Sequence, residues 1–279
     1  MIIAIKDIDG SKRIVKEVTA ALAGYATHLG FDTLVLQFDT EEDHAIDSLL
    51  FHEAKSSDAG DGYYAETGID MLLSEATMNN IPRDSFYDAV RPFAQGRRLD
   101  VAEVSKQSNF YAKLVESEKE VMTLLASANA AYDLVFVPLT AGDEKSLFGH
   151  YADSVKEQFG NVIWTVRQGS VGDLTHEHYA NETYVVTGYH PESKFTCRTM
   201  GKRVAAGKFP VLPLETPCAL RDAVDEGRLA VFLRKAKANE DDPCSDTCVW
   251  SRQVADILST VGKTRRNGAA DVWNTVEFE

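Results

Sequence analysis

Apolar and polar positions divide the chain into two kinds of segment. Short, continuously apolar, β-branched runs read as strands buried on both faces of a parallel sheet. They are Met1 to Ile5, Thr33 to Phe38, Leu134 to Val137, Asn161 to Val166, Glu182 to Thr187 and Val211 to Leu214, with Leu99 to Ala102 as a shorter one. Between them, apolar residues recur at three and four positions, the period of one helix face. Val15 to Leu29 is the clearest case, with Val18, Ala21, Leu22 and Tyr25 on one stripe and Gly30 placed to close it. Tyr111 to Ala128 and Val249 to Val261 carry the same period. Shorter helices are predicted over Ala45 to Lys55, Gly68 to Glu75, Arg83 to Phe93, Tyr151 to Phe159 and Ala219 to Glu226, the last capped by Gly227. Lys194 to Val204 reads as helix or extended linker, and Asp58 to Gly62 as a surface loop.

Strands alternating with helices predict an α/β class: a doubly wound, mostly parallel central sheet with helices on both faces, as one domain over residues 1–279. Two strands joined by a helix favour a right-handed crossover. Strand 1 is expected to end at Lys6, strand 2 at Asp39 and the Leu134 strand at Pro138. Ligands of such sheets sit outside the carboxyl ends of the strands.

Charge narrows the partners. Across 279 residues there are 43 acidic and 29 basic side chains, a formal net charge of −14. That sign opposes non-specific binding to nucleic acid or anionic membrane, both polyanions. No apolar run approaches the ~18 residues that a membrane-spanning helix needs. The opening run Met1 to Ile5 is too short for the core of a secretory signal, so a cytoplasmic protein is expected. Cys197, Cys218, Cys244 and Cys248 form neither a disulfide framework nor a four-ligand zinc pattern. They read as reduced thiols, with Cys218 buried or half-buried.

Other constellations weigh less. His176-Glu177-His178 places two imidazoles on one face if the segment is a strand, but its polar surroundings from Gly172 to Asn181 favour a solvated surface loop over a metal site. No Gly-x-Ser-x-Gly elbow is present. Tyr63-Tyr64 is either a partner-contact tip or packs back on the domain. The segment Asp271 to Glu279 carries three acids and no base, the wrong sign for anionic lipid; its alternation suggests a terminal strand or docked tail.

The order of these segments resembles the ParA/MinD family of deviant Walker P-loop ATPases. Ala20-Ala21-Leu22-Ala23, Gly30 and Leu34-Val35-Leu36-Gln37-Phe38-Asp39 are similar to its first helix and second strand. Tyr132-Asp133-Leu134-Val135-Phe136-Val137 is similar to its Walker B strand, and Val185-Val186-Thr187-Gly188-Tyr189 to the strand that carries a base-reading Asn. Val211 to Pro217, then Ala223-Val224-Asp225-Glu226-Gly227, is similar to its late strand, loop and helix end. The phrase from Gly68 to Val101 resembles the TadZ/CpaE branch, associated with pilus assembly and conjugation. The resemblance implies ATP, Mg²⁺ and dimerisation.

The residues that would do this chemistry are missing. A P-loop needs glycines whose backbone N–H groups cradle phosphates, a Lys for the β- and γ-phosphates and a hydroxyl for Mg²⁺. The corresponding stretch, Lys6 to Lys16, has one glycine, and no Gly-Lys-Ser/Thr occurs in the chain. Counting back from Asp39, Ile14 and Val15 fall where Gly-Lys would stand. Gln37 replaces a water-orienting carboxylate and cannot take a proton. Pro138 replaces the Walker B Asp, and Thr187 the Asn.

The expected vestigial crevice comprises Asp7, Asp9, Gly10, Ser11, Lys12, Arg13, Gln37, Asp39, Pro138, Leu139, Thr140, Thr187, Leu214 and Glu215, with no catalytic or metal-binding residue. Its lining by Asp7, Asp9, Gly10, Asp39, Leu139 and Thr140 predicts an acidic character, unless the loop from Lys6 to Arg13 collapses into it. The resulting expectation is a non-hydrolysing scaffold with protein partners, a homodimer among them, and no cofactor. The alternative is an ATP- and Mg²⁺-binding ATPase in partition or pilus localisation.

Overall fold

Each apolar run of the first third forms its strand. In the computed structural model β1 is Ile2–Asp7, β2 Thr33–Gln37 and β4 Leu99–Glu103, with a short β3 at Arg91–Phe93. Later come β5 (Leu134–Pro138), β6 (Asn161–Arg167), β7 (Glu182–Thr187) and β8 (Val211–Leu214). The helices are α1 (Lys12–His28), α2 (Ile46–Leu50), α3 (Ile69–Ala76), α4 (Arg83–Ala89), α5 (Glu118–Ala131), α6 (Cys197–Val204), α7 (Cys218–Asp225), α8 (Leu229–Ala238) and α9 (Asp246–Thr264). The structure describes residues 1–38, 46–50, 68–77, 81–93, 98–104, 118–139, 159–170, 181–204 and 208–264. The expectations for residues 151–158, the His176–His178 cluster, Tyr63-Tyr64 and the segment 271–279 lie outside them.

All eight strands join one sheet in the order β3-β4-β2-β5-β1-β6-β7-β8. Every pairing is parallel except β3 with β4, an antiparallel pair at the edge. Alternating side chains feed two cores. Ile3, Ile5, Val35, Phe136, Ile163 and Val185 face α1, α8 and α9, whereas Ile2, Ala4, Leu34, Leu36, Val135 and Val137 face α3, α4 and α5. Trp250 of α9 is fully buried on the first side, where its ring meets Tyr25 at 5.6 Å and 87° and Phe232 at 4.9 Å and 79°. These are the edge-to-face arrangements that aromatic quadrupoles favour. Burial pushes the Tyr25 hydroxyl up to about 12, and that hydroxyl donates to Glu240 Oε2 at 3.1 Å.

Three local outcomes differ from the sequence reading. The helix expected over Arg83 to Phe93 stops at Ala89, and Arg91–Phe93 pairs as a strand. Pro92 is the cause: it pushes Arg91 out of the helical region and tolerates an edge strand. Leu229–Ala238 forms α8, which the sequence reading passed over, and packs beside α1 through Leu229, Phe232, Leu233 and Ala236. Strand β1 runs to Asp7, one residue beyond Lys6, and α1 begins at Lys12, three residues before Val15.

Candidate functional site

Those two extensions shorten the β1–α1 connection to Ile8-Asp9-Gly10-Ser11. A strand–P-loop–helix connection spends about eight residues on its motif, most of them loop. Gly10 takes φ +75°, the left-handed region open to glycine, and its N–H reaches the Asp7 carbonyl at 3.2 Å. The Ser11 hydroxyl caps α1 by accepting from the Ile14 N–H at 3.4 Å.

Asp7 closes the turn. Its Oδ2 accepts the Ser11 N–H at 2.7 Å, and its Oδ1 accepts the Thr165 hydroxyl of β6 at 2.6 Å. The Ile8 N–H donates to the Thr165 carbonyl at 3.0 Å, and the Ser170 hydroxyl donates to Asp9 Oδ1 at 2.8 Å. A helix start with free N–H groups attracts anions. Here the chain places its own carboxylate and hydroxyl there. Burial raises the Asp7 pKa above its ordinary 3.8, against the lowering effect of the bonds from Thr165 and Ser11.

The other expected positions are also engaged. Arg13 Nη2 lies 2.8 Å from Asp225 Oδ1 of α7, and the same guanidinium pairs with Glu17. Gln37, 2% exposed, accepts the Ile46 N–H at 3.0 Å and so anchors α2. Pro138 ends β5, and the buried Leu139 donates its N–H to the Ile5 carbonyl at 2.8 Å. The Thr187 hydroxyl donates to the Val166 carbonyl at 3.4 Å. Glu215 is held twice by Gln253: its N–H donates to Oε1 at 2.7 Å, and its Oε1 accepts Nε2 at 3.1 Å. Lys12 opens α1, whereas Asp39 and Thr140 lie outside the described residues.

A cavity of about 590 Å³ opens beside this turn, where α1, α7 and α9 meet the carboxyl ends of β6, β7 and β8. Of the expected crevice residues, Arg13, Thr187, Leu214 and Glu215 line it; Asp7, Asp9, Gly10 and Leu139 do not. Its walls are apolar at Val18, Ala21, Leu220, Val224 and Trp250, with Arg167 and Arg221 among the polar lining. Sequence reasoning passed over Arg167, Arg221 and Trp250. The legible signal was Arg167, a charge closing an otherwise apolar strand at the end where ligands sit. Cys218 begins α7 and is exposed, correcting the expectation of a buried or half-buried thiol: two positions before Leu220, it lies on the side of the helix opposite the buried stripe of Leu220, Ala223 and Val224. Among the described residues, no helix is long and apolar enough to cross a membrane.

The raised Asp7 pKa gives a testable sign. A folded-state pKa above the unfolded one stabilises below the unfolded value, and that contribution is lost as pH rises through the folded pKa. Asp7→Asn keeps an acceptor for the Ser11 N–H and removes the titration. Urea unfolding between pH 4 and 7 should therefore show wild type losing stability relative to the variant as pH rises. A pH-independent difference would refute this account of Asp7.

The sequence matches no family model and no curated protein. The structure is similar to several solved ones. A ParA family ATPase from Chlorobium tepidum TLS aligns with TM-score 0.63 at 12% identity, over 92% of this chain and 98% of that one. MinD in the MinC:MinD complex of Aquifex aeolicus aligns at 0.59 and 15%, over 97% of each chain. The Mg-ADP complex of MinD from Pyrococcus horikoshii OT3 aligns at 0.59 and 15%, over 94% and 96%. The likeness is one of fold: seven parallel strands with flanking helices, arranged as in the ParA/MinD type of P-loop NTPase.

Proposed function

We propose that this chain is a single-domain ParA/MinD-like protein that does not hydrolyse nucleotide and acts as a scaffold for protein partners in a positioning, pilus-assembly, conjugation or partition system. The observation that carries the reading is the self-closed β1–α1 turn. The Asp7 carboxylate, 2.7 Å from the Ser11 N–H, occupies the helix start where a triphosphate would need those donors. A phosphate would have to displace it and would meet the Asp9 charge next to it. Gln37, committed to the Ile46 N–H, and Pro138 leave the two remaining catalytic places without a carboxylate. Aquifex MinD is solved in complex with MinC, which favours a protein partner here; a homodimer is the other arrangement of this reading.

A second reading, an ATP-binding member with Mg²⁺, draws on the cavity at the ends of β7 and β8, since the Pyrococcus MinD is solved with Mg-ADP. One experiment separates them: titration calorimetry with millimolar Mg-ATP, beside a phosphate-release assay. The first reading expects no saturable heat and no phosphate above the protein-free rate. Turnover that disappears in Lys12→Ala overturns it.

A further inference from the structure

The cavity beside the closed turn has a charge pattern of its own. Its lining holds three arginines, Arg13, Arg167 and Arg221, and three carboxylates, Glu17, Glu215 and Asp225. Pairing divides them unevenly. Arg13 binds both Glu17 and Asp225, whereas neither Arg167 nor Arg221 forms an ion pair with any described residue. The side chains of Gln168 and Glu215 are spent on His190, Phe195 and Gln253. Two guanidiniums with donors to spare therefore stand over an apolar floor.

The indole of Trp250 belongs to the same wall. Its Nε1 bonds no described residue, and the ring is fully buried, so it backs the apolar wall without presenting a donor to the cavity. The volume, about 590 Å³, suits a ring-bearing small molecule.

We infer that this cavity binds a small organic monoanion with an apolar or aromatic body, its acid group held by Arg167 and Arg221 and its body against Val18, Leu220 and Val224. Guanidinium forks pair with carboxylate or sulfonate oxygens, and two of them on one acid group give directed, charge-assisted bonds. The three carboxylates of the lining set the limit on charge. A single negative group satisfies Arg167 and Arg221, whereas a polyphosphate brings further charges against Glu17, Glu215 and Asp225. The inference shares its crevice with the reading above, but requires neither the β1–α1 turn nor Mg²⁺.

The test uses 8-anilinonaphthalene-1-sulfonate, an aromatic body with one sulfonate, on the full chain. Fluorescence titration should show one saturable site per chain. Arg167→Ala and Arg221→Ala should each weaken it by about tenfold, as expected for a lost charge-assisted bond. Lys235→Ala, an exposed cation on α8 outside the lining, should leave it unchanged. Both arginines are exposed, so their variants should keep the wild-type unfolding midpoint. Equal binding by wild type and both arginine variants, or no saturable binding, overturns the inference. Displacement of the probe by Mg-ATP, but not by Mg²⁺ or naphthalene-1-sulfonate alone, also overturns it and at the same time favours the ATP-binding reading. Probe binding that is insensitive to Mg-ATP leaves the non-hydrolysing reading standing whichever way the arginine variants fall.

Discussion

Trp250→Ala should lower the unfolding free energy by about 3–5 kcal/mol, the range for deleting a fully buried large aromatic. The indole fills the space between α1, α8 and α9, held edge-to-face between Tyr25 and Phe232. Alanine leaves a void that three helices would have to close together, and the close-packed Ala20 to Ala26 segment of α1 gives little room for collapse. The orphaned Nε1 works in the opposite direction, because its removal relieves an unmade bond. The cavity cost outweighs it: about 1–3 kcal/mol for the donor against the larger aromatic range. Urea unfolding followed by far-ultraviolet circular dichroism should show an earlier midpoint with an unchanged slope. A loss under about 1 kcal/mol would mean that Trp250 is not the keystone of this core.

Gly68→Ala should be nearly as damaging although it adds only a methyl group. Gly68 enters α3 with φ +77°, and a Cβ there would overlap the backbone carbonyl oxygen of Glu103 at the end of β4. With ψ −149° this is a backbone region open essentially to glycine alone, and it costs an alanine about 1–3 kcal/mol. Pushing a sheet strand away from a helix start adds about 1–3 kcal/mol. Gly10 is the internal control: its φ is +75°, but a Cβ there meets nothing within 4 Å. Gly10→Ala should therefore pay the conformational term alone. If the two variants unfold at the same midpoint, the close approach of Gly68 to β4 is wrong.

The fold was legible because the strands are buried on both faces. Uninterrupted runs such as Ile2 to Ile5 and Val135 to Val137 have no solvated side to blur them, and α1 shows its period plainly. Limits arose where tertiary packing overrides local pattern. α8 is not such a case: Leu229, Phe232, Leu233 and Ala236 fall at i, i+3, i+4 and i+7, a helix period that the sequence carries and the reading passed over. Pro92 was visible, but the strand it permits depends on β4 lying alongside.

The site was legible in part. The absence of a Gly-Lys-Ser/Thr motif and the two carboxylates at Asp7 and Asp9 could be read directly. That Asp7 would turn inward and bond Ser11 and Thr165 could not, because Thr165 is remote in sequence and comes near only through the pairing of β1 with β6. The cavity was displaced for the same reason. Arg167, Arg221 and Trp250 belong to three separate elements, and only the crossing of β6, α7 and α9 assembles them.

Strand β1 sits in the middle of the sheet, with Ile2 beside Val135 and Ile3 beside Asn161. Both of its neighbours are made much later in the chain, so its hydrogen-bonding edges stay open while the ribosome works through everything between. Its first helix can form early, but the strand beneath can settle only when β5 and β6 have emerged. The molecule is thus one of high contact order, and its folding is expected to be gated by that late closure rather than by the early local segments. The stretch Met1 to Ile5, buried in the finished protein, is thus one that the nascent chain must keep from other company until then.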